Sequence, residues 1–147
     1  MRAQPDLAAN LVEETLRWDP PVQRTGRTVQ REIEVDGTVL RPGQLVMFVL
    51  GGVNRDPELF ERPHDFEIGR ANAREHLAFA TGIHYCLGAA LARLEGEIAF
   101  RALADRLPDL QLGGPVQRRP SQIIRGPLHL PLRVRRRVPA SKPASRP

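Results

Sequence analysis

The chain has 147 residues, 41% of them hydrophobic and 27% charged, with 14 prolines and 12 glycines; it can hold one ordinary domain or part of a larger one, globular but rich in turns. No apolar run approaches the roughly 20 residues that span a bilayer, and Met1 to Asp6 lacks the apolar stretch of a secretory signal, so a soluble, cytoplasmic chain without membrane contact is expected. The formal charge of +5 points to nucleic acid only until it is located: residues 1–109 hold 13 basic and 17 acidic groups, and the nine remaining basic side chains all follow them, so no nucleic-acid partner is expected.

From Leu7 to Trp18, Leu7, Leu11 and either Val12 or Thr15 fall at helical spacing, with Asp6 available as N-cap. Asp19-Pro20-Pro21 ends this helix, because a residue before proline is pushed out of the helical region. Arg27 to Val29, Ile33 to Val35 and Val39-Leu40 then alternate as strands around Asp36-Gly37, a hairpin signal. After a turn at Arg41-Pro42-Gly43-Gln44, Leu45 to Leu50 reads as a buried strand, and Asp56-Pro57-Glu58 as the start of a short helix. Residues 61–78 lose periodicity and read as irregular coil. The longest helix is expected from Leu87 to Leu107, with an apolar stripe of Leu87, Leu91, Leu94, Ile98 and Leu103 and Pro108 after its end. Ile123 to Val134 reads as two short strands turning at Gly126-Pro127, and residues 135–147, rich in Arg, Pro, Ser and Ala, as a basic disordered tail.

The chemistry concentrates in FATGIHYCLG, Phe79 to Gly88. Cys86 is the only cysteine, so no intramolecular disulfide forms and the thiol is inert, reactive or a ligand. It stands just before a long helix and after a glycine-bearing loop, where the helix dipole and free N–H groups favour thiolate over thiol. Gly82 and Gly88 permit backbone turns and the close approach of a large flat ligand. Alone, a single cysteine is an ordinary small buried hydrophobe. Zinc is disfavoured, because Cys86 with His84, His76, His64 or His129 does not supply four well-spaced ligands.

Phe79, Gly82, Cys86 and Gly88 match F-x-x-G-x-x-x-C-x-G, and the stretch from His76 resembles the haem-binding loop HLAFGxGxHxCLG of bacterial cytochromes P-450. Ala80 departs from that loop, where glycine is usual; alanine stiffens the turn but removes no ligand. A second match is Glu14-Thr15-Leu16-Arg17, an E-x-x-R that puts a carboxylate and a guanidinium on one helix face. The resemblance runs from Leu7 to Val134 and implies a mostly α fold with small β-sheets (α+β), the proximal C-terminal part of the cytochrome P-450 fold in residues 1–134. It implies haem b with Cys86 as the axial iron ligand, Arg27 and His84 near the haem propionates, and a buried Glu14–Arg17 pair that locks the coil before the loop. The family's third partner lies in a PERF-like segment; here that segment is Pro63-His64-Asp65-Phe66, and Arg70 is the substitute.

By the same resemblance, Val22, Thr25, Ile123 and Ile124 approach substrate, and the activity is insertion of one oxygen atom from O2 into a small organic substrate, with electrons from a ferredoxin or similar donor. Arg74, Arg93 and Arg101 are candidates to meet an acidic ferredoxin. The family's oxygen-activating acid and threonine lie on a central helix that precedes the Glu-Arg helix, which here is almost the first element. A fragment with little or no turnover of its own is therefore expected, with a non-catalytic haem or interaction module as the alternative.

Overall fold

Residues 4–107 and 109–134 are described by the structure, a computed structural model; the expected tail at 135–147 lies outside them. A 3-10 turn, Pro5–Leu7, leads into helix α1, Ala8–Trp18. Asp6 is not its N-cap, since the extra turn moves that position to Leu7, which makes no side-chain cap. The inward face of α1 is only partly apolar: Ala8 and Val12 are buried, and so are Glu13, Glu14 and Arg17.

Strands β1 (Arg24–Thr28), β2 (Ile33–Val35), β3 (Thr38–Leu40) and β4 (Leu45–Val49) form two antiparallel ladders, β1 with β4 and β2 with β3. The β2–β3 turn has two central residues, Asp36 at φ 47° and Gly37 at φ 71°, and its left-handed backbone suits the twist of a tight hairpin. The β4 strand is not buried as expected; Leu45, Met47, Phe48 and Val49 are all exposed. Helix α2, Leu50–Val53, continues directly from β4, whereas the helix expected at Asp56 is a single turn in which Phe60 N–H reaches Asp56 O at 2.8 Å. Arg62, at φ 46°, and Pro63 stop it from propagating. The coil from 61 to 78 contains one 3-10 turn, Ala73–Glu75.

Helix α3, Ala89–Arg106, crosses α1 where Gly96 meets Val12. A Cβ on Gly96 would lie 3.0 and 3.2 Å from the two Val12 methyls, so the missing side chain permits this approach. The seam is made by small residues and by Arg93, not by the leucine stripe: Leu91, Leu94, Ile98 and Leu103 are exposed, and Leu87 lies before the helix, fully exposed.

The terminal region is not the simple hairpin expected. Strands β5 (Gln111–Leu112), β6 (Gln117–Arg118), β7 (Pro127–His129) and β8 (Leu132–Arg133) pair as β5–β8 and β6–β7, the second with a register shift at Gln117/Arg118. An isolated bridge, Val22 to Ile124, ties this region to the start of β1. Long helices with small antiparallel sheets fit the expected α+β arrangement.

Candidate functional site

A cleft of about 540 Å³ opens between α1, β1, the cysteine loop and α3. Arg27, Phe79, His84 and Cys86 all line it, together with Val22 and Thr25, so side chains from three separate stretches of sequence converge on one space. Much of the remaining wall is apolar, including Val12, Leu16, Leu50, Ala92 and Phe100. Cys86 is a free, exposed thiol. Ile123 and Ile124 do not reach the cleft: Ile123 O accepts Gln23 N–H at 2.7 Å, and Ile124 lines a separate hollow beside Ser121 and Leu128.

Backbone hydrogen bonds close the loop. Cys86 N–H donates to Phe79 O at 2.9 Å, Tyr85 N–H to Gly82 O at 3.0 Å and Ala89 N–H to Cys86 O at 3.1 Å, so the cysteine is held at both flanks as the chain enters α3. Gly82, at φ 62° with nothing within 4 Å of its Cβ position, needs the conformation rather than the space. At Gly88 a Cβ would stand 3.9 Å from the Cys86 sulfur.

Ala80 is also left-handed, at φ 58°. An L-residue there costs roughly 1–2 kcal/mol, partly offset because glycine loses more entropy on folding. Ala80→Gly is therefore expected to stabilise the chain by about 0.5–1 kcal/mol, read as a rise in thermal midpoint; an unchanged or lower midpoint would show that this loop relieves the strain elsewhere.

Beneath the loop, the structure brings Glu14, Arg17 and Arg70 together. Arg17 Nε and a terminal nitrogen donate to the two Glu14 oxygens at 2.7 and 2.8 Å, and both side chains are fully buried. Arg70 Nε donates to the same carboxylate at 3.2 Å, and Glu67 N–H adds a bond of 2.8 Å. Asp65, which stands where the family has arginine, contributes only its backbone carbonyl, shared by Arg17 and Arg70. The arginines also collect the carbonyls of Asn54, Glu61, Arg62 and Pro63, so one ion cluster pins the coil that leads to the loop. Burial alone would raise the Glu14 carboxyl, but hydrogen bonds from Arg17, Glu67 N–H and Arg70 and the Arg17 charge together hold it below its ordinary value of 4.5.

A second cluster was not anticipated. Glu13, also buried, meets His76 Nε2 at 3.0 Å, Arg93 Nε at 2.7 Å and Arg74 Nε at 3.4 Å. Ala78 N–H donates to His76 Nδ1 at 3.1 Å, so His76 is the tautomer that carries its proton on Nε2 and donates to Glu13. Burial, more than the opposing pull of Glu13, lowers His76 from its ordinary 6.5 and keeps it neutral. Glu13 adjoins Glu14 in sequence, yet its partners His76 and Arg93 lie 63 and 80 residues along the chain, and no local pattern points to them.

Arg93 is accordingly not a free surface charge. Its hydrogen bond to Glu13 lifts it above its already high ordinary value, and its side chain is mostly covered. Arg101 pairs with Glu97 at 2.7 Å, and Arg74 is the most exposed of the three arginines proposed to meet a ferredoxin. Among the described residues, no group of three or more His, Cys, Asp or Glu side chains could hold a metal ion, and no helix is long and apolar enough to cross a membrane.

The donor set, one accessible sulfur, an arginine and a histidine around an apolar wall, suits a largely apolar ligand that carries a metal and negative charge. Comparison with known proteins gives the same direction. The chain is 48% identical over 132 residues to putative cytochrome P450 140 of Mycobacterium tuberculosis, covering 90% of this chain and 30% of that protein. It is 42% identical over 137 residues to the 6-deoxyerythronolide B hydroxylase of Saccharopolyspora erythraea, covering 91% and 34%. Its fold superposes on P450BioI, solved in complex with an acyl carrier protein ligated to hexadec-9Z-enoic acid, with TM-score 0.88 and 40% identity over 91% of this chain and 35% of that one. The chain thus spans about a third of the length of these relatives. The cytochrome P450 family model matches residues 1–106, and with these similarities it shows that the chain belongs to the cytochrome P450 family.

Proposed function

We propose that the chain provides the cysteine-bearing, proximal side of the haem b site of a cytochrome P450 monooxygenase, working in the cytoplasm with an electron-donating ferredoxin, dioxygen and a small organic substrate. The observation that carries this reading is the exposed Cys86 thiol on an apolar cleft that also holds Arg27 and His84. When bound, the haem supplies a redox-active iron at which dioxygen is activated for insertion of one oxygen atom.

Each residue then has a defined task. Cys86, as thiolate, would hold the haem iron and would donate electron density to it. Arg27, whose terminal nitrogen already donates to Thr25 Oγ1 at 3.0 Å and Gly26 O at 2.8 Å, is oriented on β1 and offers its remaining donors to one haem carboxylate. His84, on the 3-10 turn Gly82–His84, serves the other. Phe79 anchors the loop beside the ligand, Gly82 supplies the left-handed turn, and Gly88 places no side chain beside the Cys86 sulfur. Val22 and Thr25 sit on the cleft where substrate is approached; Ile123 and Ile124 act at most through the backbone ties to Val22 and Gln23.

The second reading is a haem-binding remnant without turnover; the chain spans about a third of the length of its relatives. Hemin titration of the purified chain, followed by reduction under carbon monoxide, is expected to give a thiolate-type absorption band, with substrate oxidation by the chain alone at background. A spectrum of free hemin or of nitrogen ligation would overturn the proposal, while turnover by the chain alone would overturn the second reading.

A further inference from the structure

Arg93 is used on every side. Its Nε and one terminal nitrogen hold Glu13 at 2.7 and 3.3 Å, its other terminal nitrogen donates to the Tyr85 hydroxyl at 2.8 Å, and its guanidinium carbon lies 4.7 Å from the Phe79 ring centroid. Phe79 and Tyr85 are the two residues that bracket the cysteine: Phe79 gives its carbonyl to Cys86 N–H, and Tyr85 is its neighbour in sequence. The guanidinium therefore spans the closed end of the loop like a bar. A planar group can serve a fork of two carboxylate oxygens, a hydroxyl and an aromatic face at once only if its plane is fixed.

Glu13 fixes that plane. It comes from α1, whose position is set by its crossing with α3 and by the neighbouring Glu14 cluster, and it is itself oriented by His76 from the coil. We infer that Glu13 is a positioning residue for the cysteine loop, acting through Arg93 to hold Phe79 and Tyr85, and hence Cys86, in one geometry. Glu14 pins the coil before the loop, and Glu13 pins the loop itself. Two adjacent glutamates on one helix thus serve different segments. Loss of Glu13 frees Arg93 to rotate into solvent, and the Cys86–Phe79 bond loses its outer support.

The importance of that geometry for metal ligation rests on the haem reading, but the clamp is testable without haem. Amide hydrogen exchange on the full chain, free of hemin, is compared for Glu13→Gln, Arg93→Ala, Arg93→Lys and the surface control Glu97→Gln. Charge-assisted bonds are strong enough that their loss shifts a local opening equilibrium by about tenfold or more. Glu13→Gln and Arg93→Ala are therefore expected to speed exchange at Cys86 and Tyr85 by about tenfold relative to the β1–β4 ladder. Arg93→Lys, which keeps the charge but not the fork, falls between, and Glu97→Gln matches the parent. If Glu13→Gln does not fold, the ratio of Arg93→Ala to Arg93→Lys decides. Equal acceleration of loop and ladder, or none at the loop, overturns the inference; failure of hemin to bind with thiolate character sinks only the haem reading.

Discussion

Replacing Glu14 by alanine is expected to cost the fold about 3–5 kcal/mol, the penalty for removing one partner of a buried ion pair. The carboxylate is fully buried and accepts from Arg17, Arg70 and Glu67 N–H. Without it, two guanidiniums of like charge face one another away from water, and the Glu67 amide loses its acceptor. Domains of this size are stable by only about 5–15 kcal/mol, so the urea midpoint should fall steeply or the transition vanish. Arg17→Ala is expected to be milder, since Arg70 still serves the carboxylate, although the carbonyls of Asn54, Pro63 and Asp65 lose a donor. Equal midpoints for Glu14→Ala and the parent would show that the cluster adds nothing.

Acid titrates the same network. Because the folded Glu14 carboxyl lies below its ordinary 4.5, the unfolded chain takes up its proton first; the stability Glu14 contributes is full above 4.5 and is lost as pH falls through the lower folded value. His76 acts in the same sense from higher up, its folded form resisting the proton that the unfolded chain accepts near 6.5. Urea midpoints should therefore decline on acidification from about pH 6.5. Glu14→Gln should flatten the part of the decline below 4.5 and leave the upper part in place.

Replacing Cys86 by alanine is expected to abolish the thiolate-type band of the reduced carbon monoxide complex while leaving the urea midpoint nearly unchanged. The thiol is exposed and Cys86's own hydrogen bonds run through its backbone, so the side chain adds little to the fold and would act as ligand alone. A variant with the parent's spectrum would exclude sulfur ligation, and a variant that fails to fold would give Cys86 a packing role that its exposure contradicts.

Local chemistry was legible in the sequence. Asp36-Gly37 announced a turn that only left-handed residues can make, Asp19-Pro20 announced the end of α1, and the spacing around Cys86 placed a loop before a helix. Arg70 was legible as a partner for Glu14 because the coil had lost an arginine at Asp65 and carried another close by. Long-range consequences were not legible. Nothing near Glu13 reveals that its partners lie 63 and 80 residues onward, and nothing in the terminal region reveals that β7 and β8 choose earlier strands over each other. The leucine stripe of α3 has correct helical period, but periodicity says only that a face is apolar, not what covers it; here Gly96 and Arg93 took the seam with α1.

That uncovered stripe governs how the molecule behaves in a test tube. Leu91, Leu94 and Ile98, with Leu87 and Ile83 at the head of the helix, leave a greasy ridge turned toward water. As a purified solute the polypeptide should be colloidally sticky, adhering to itself and to plastic, so dilution and mild detergent govern how much of it remains dispersed.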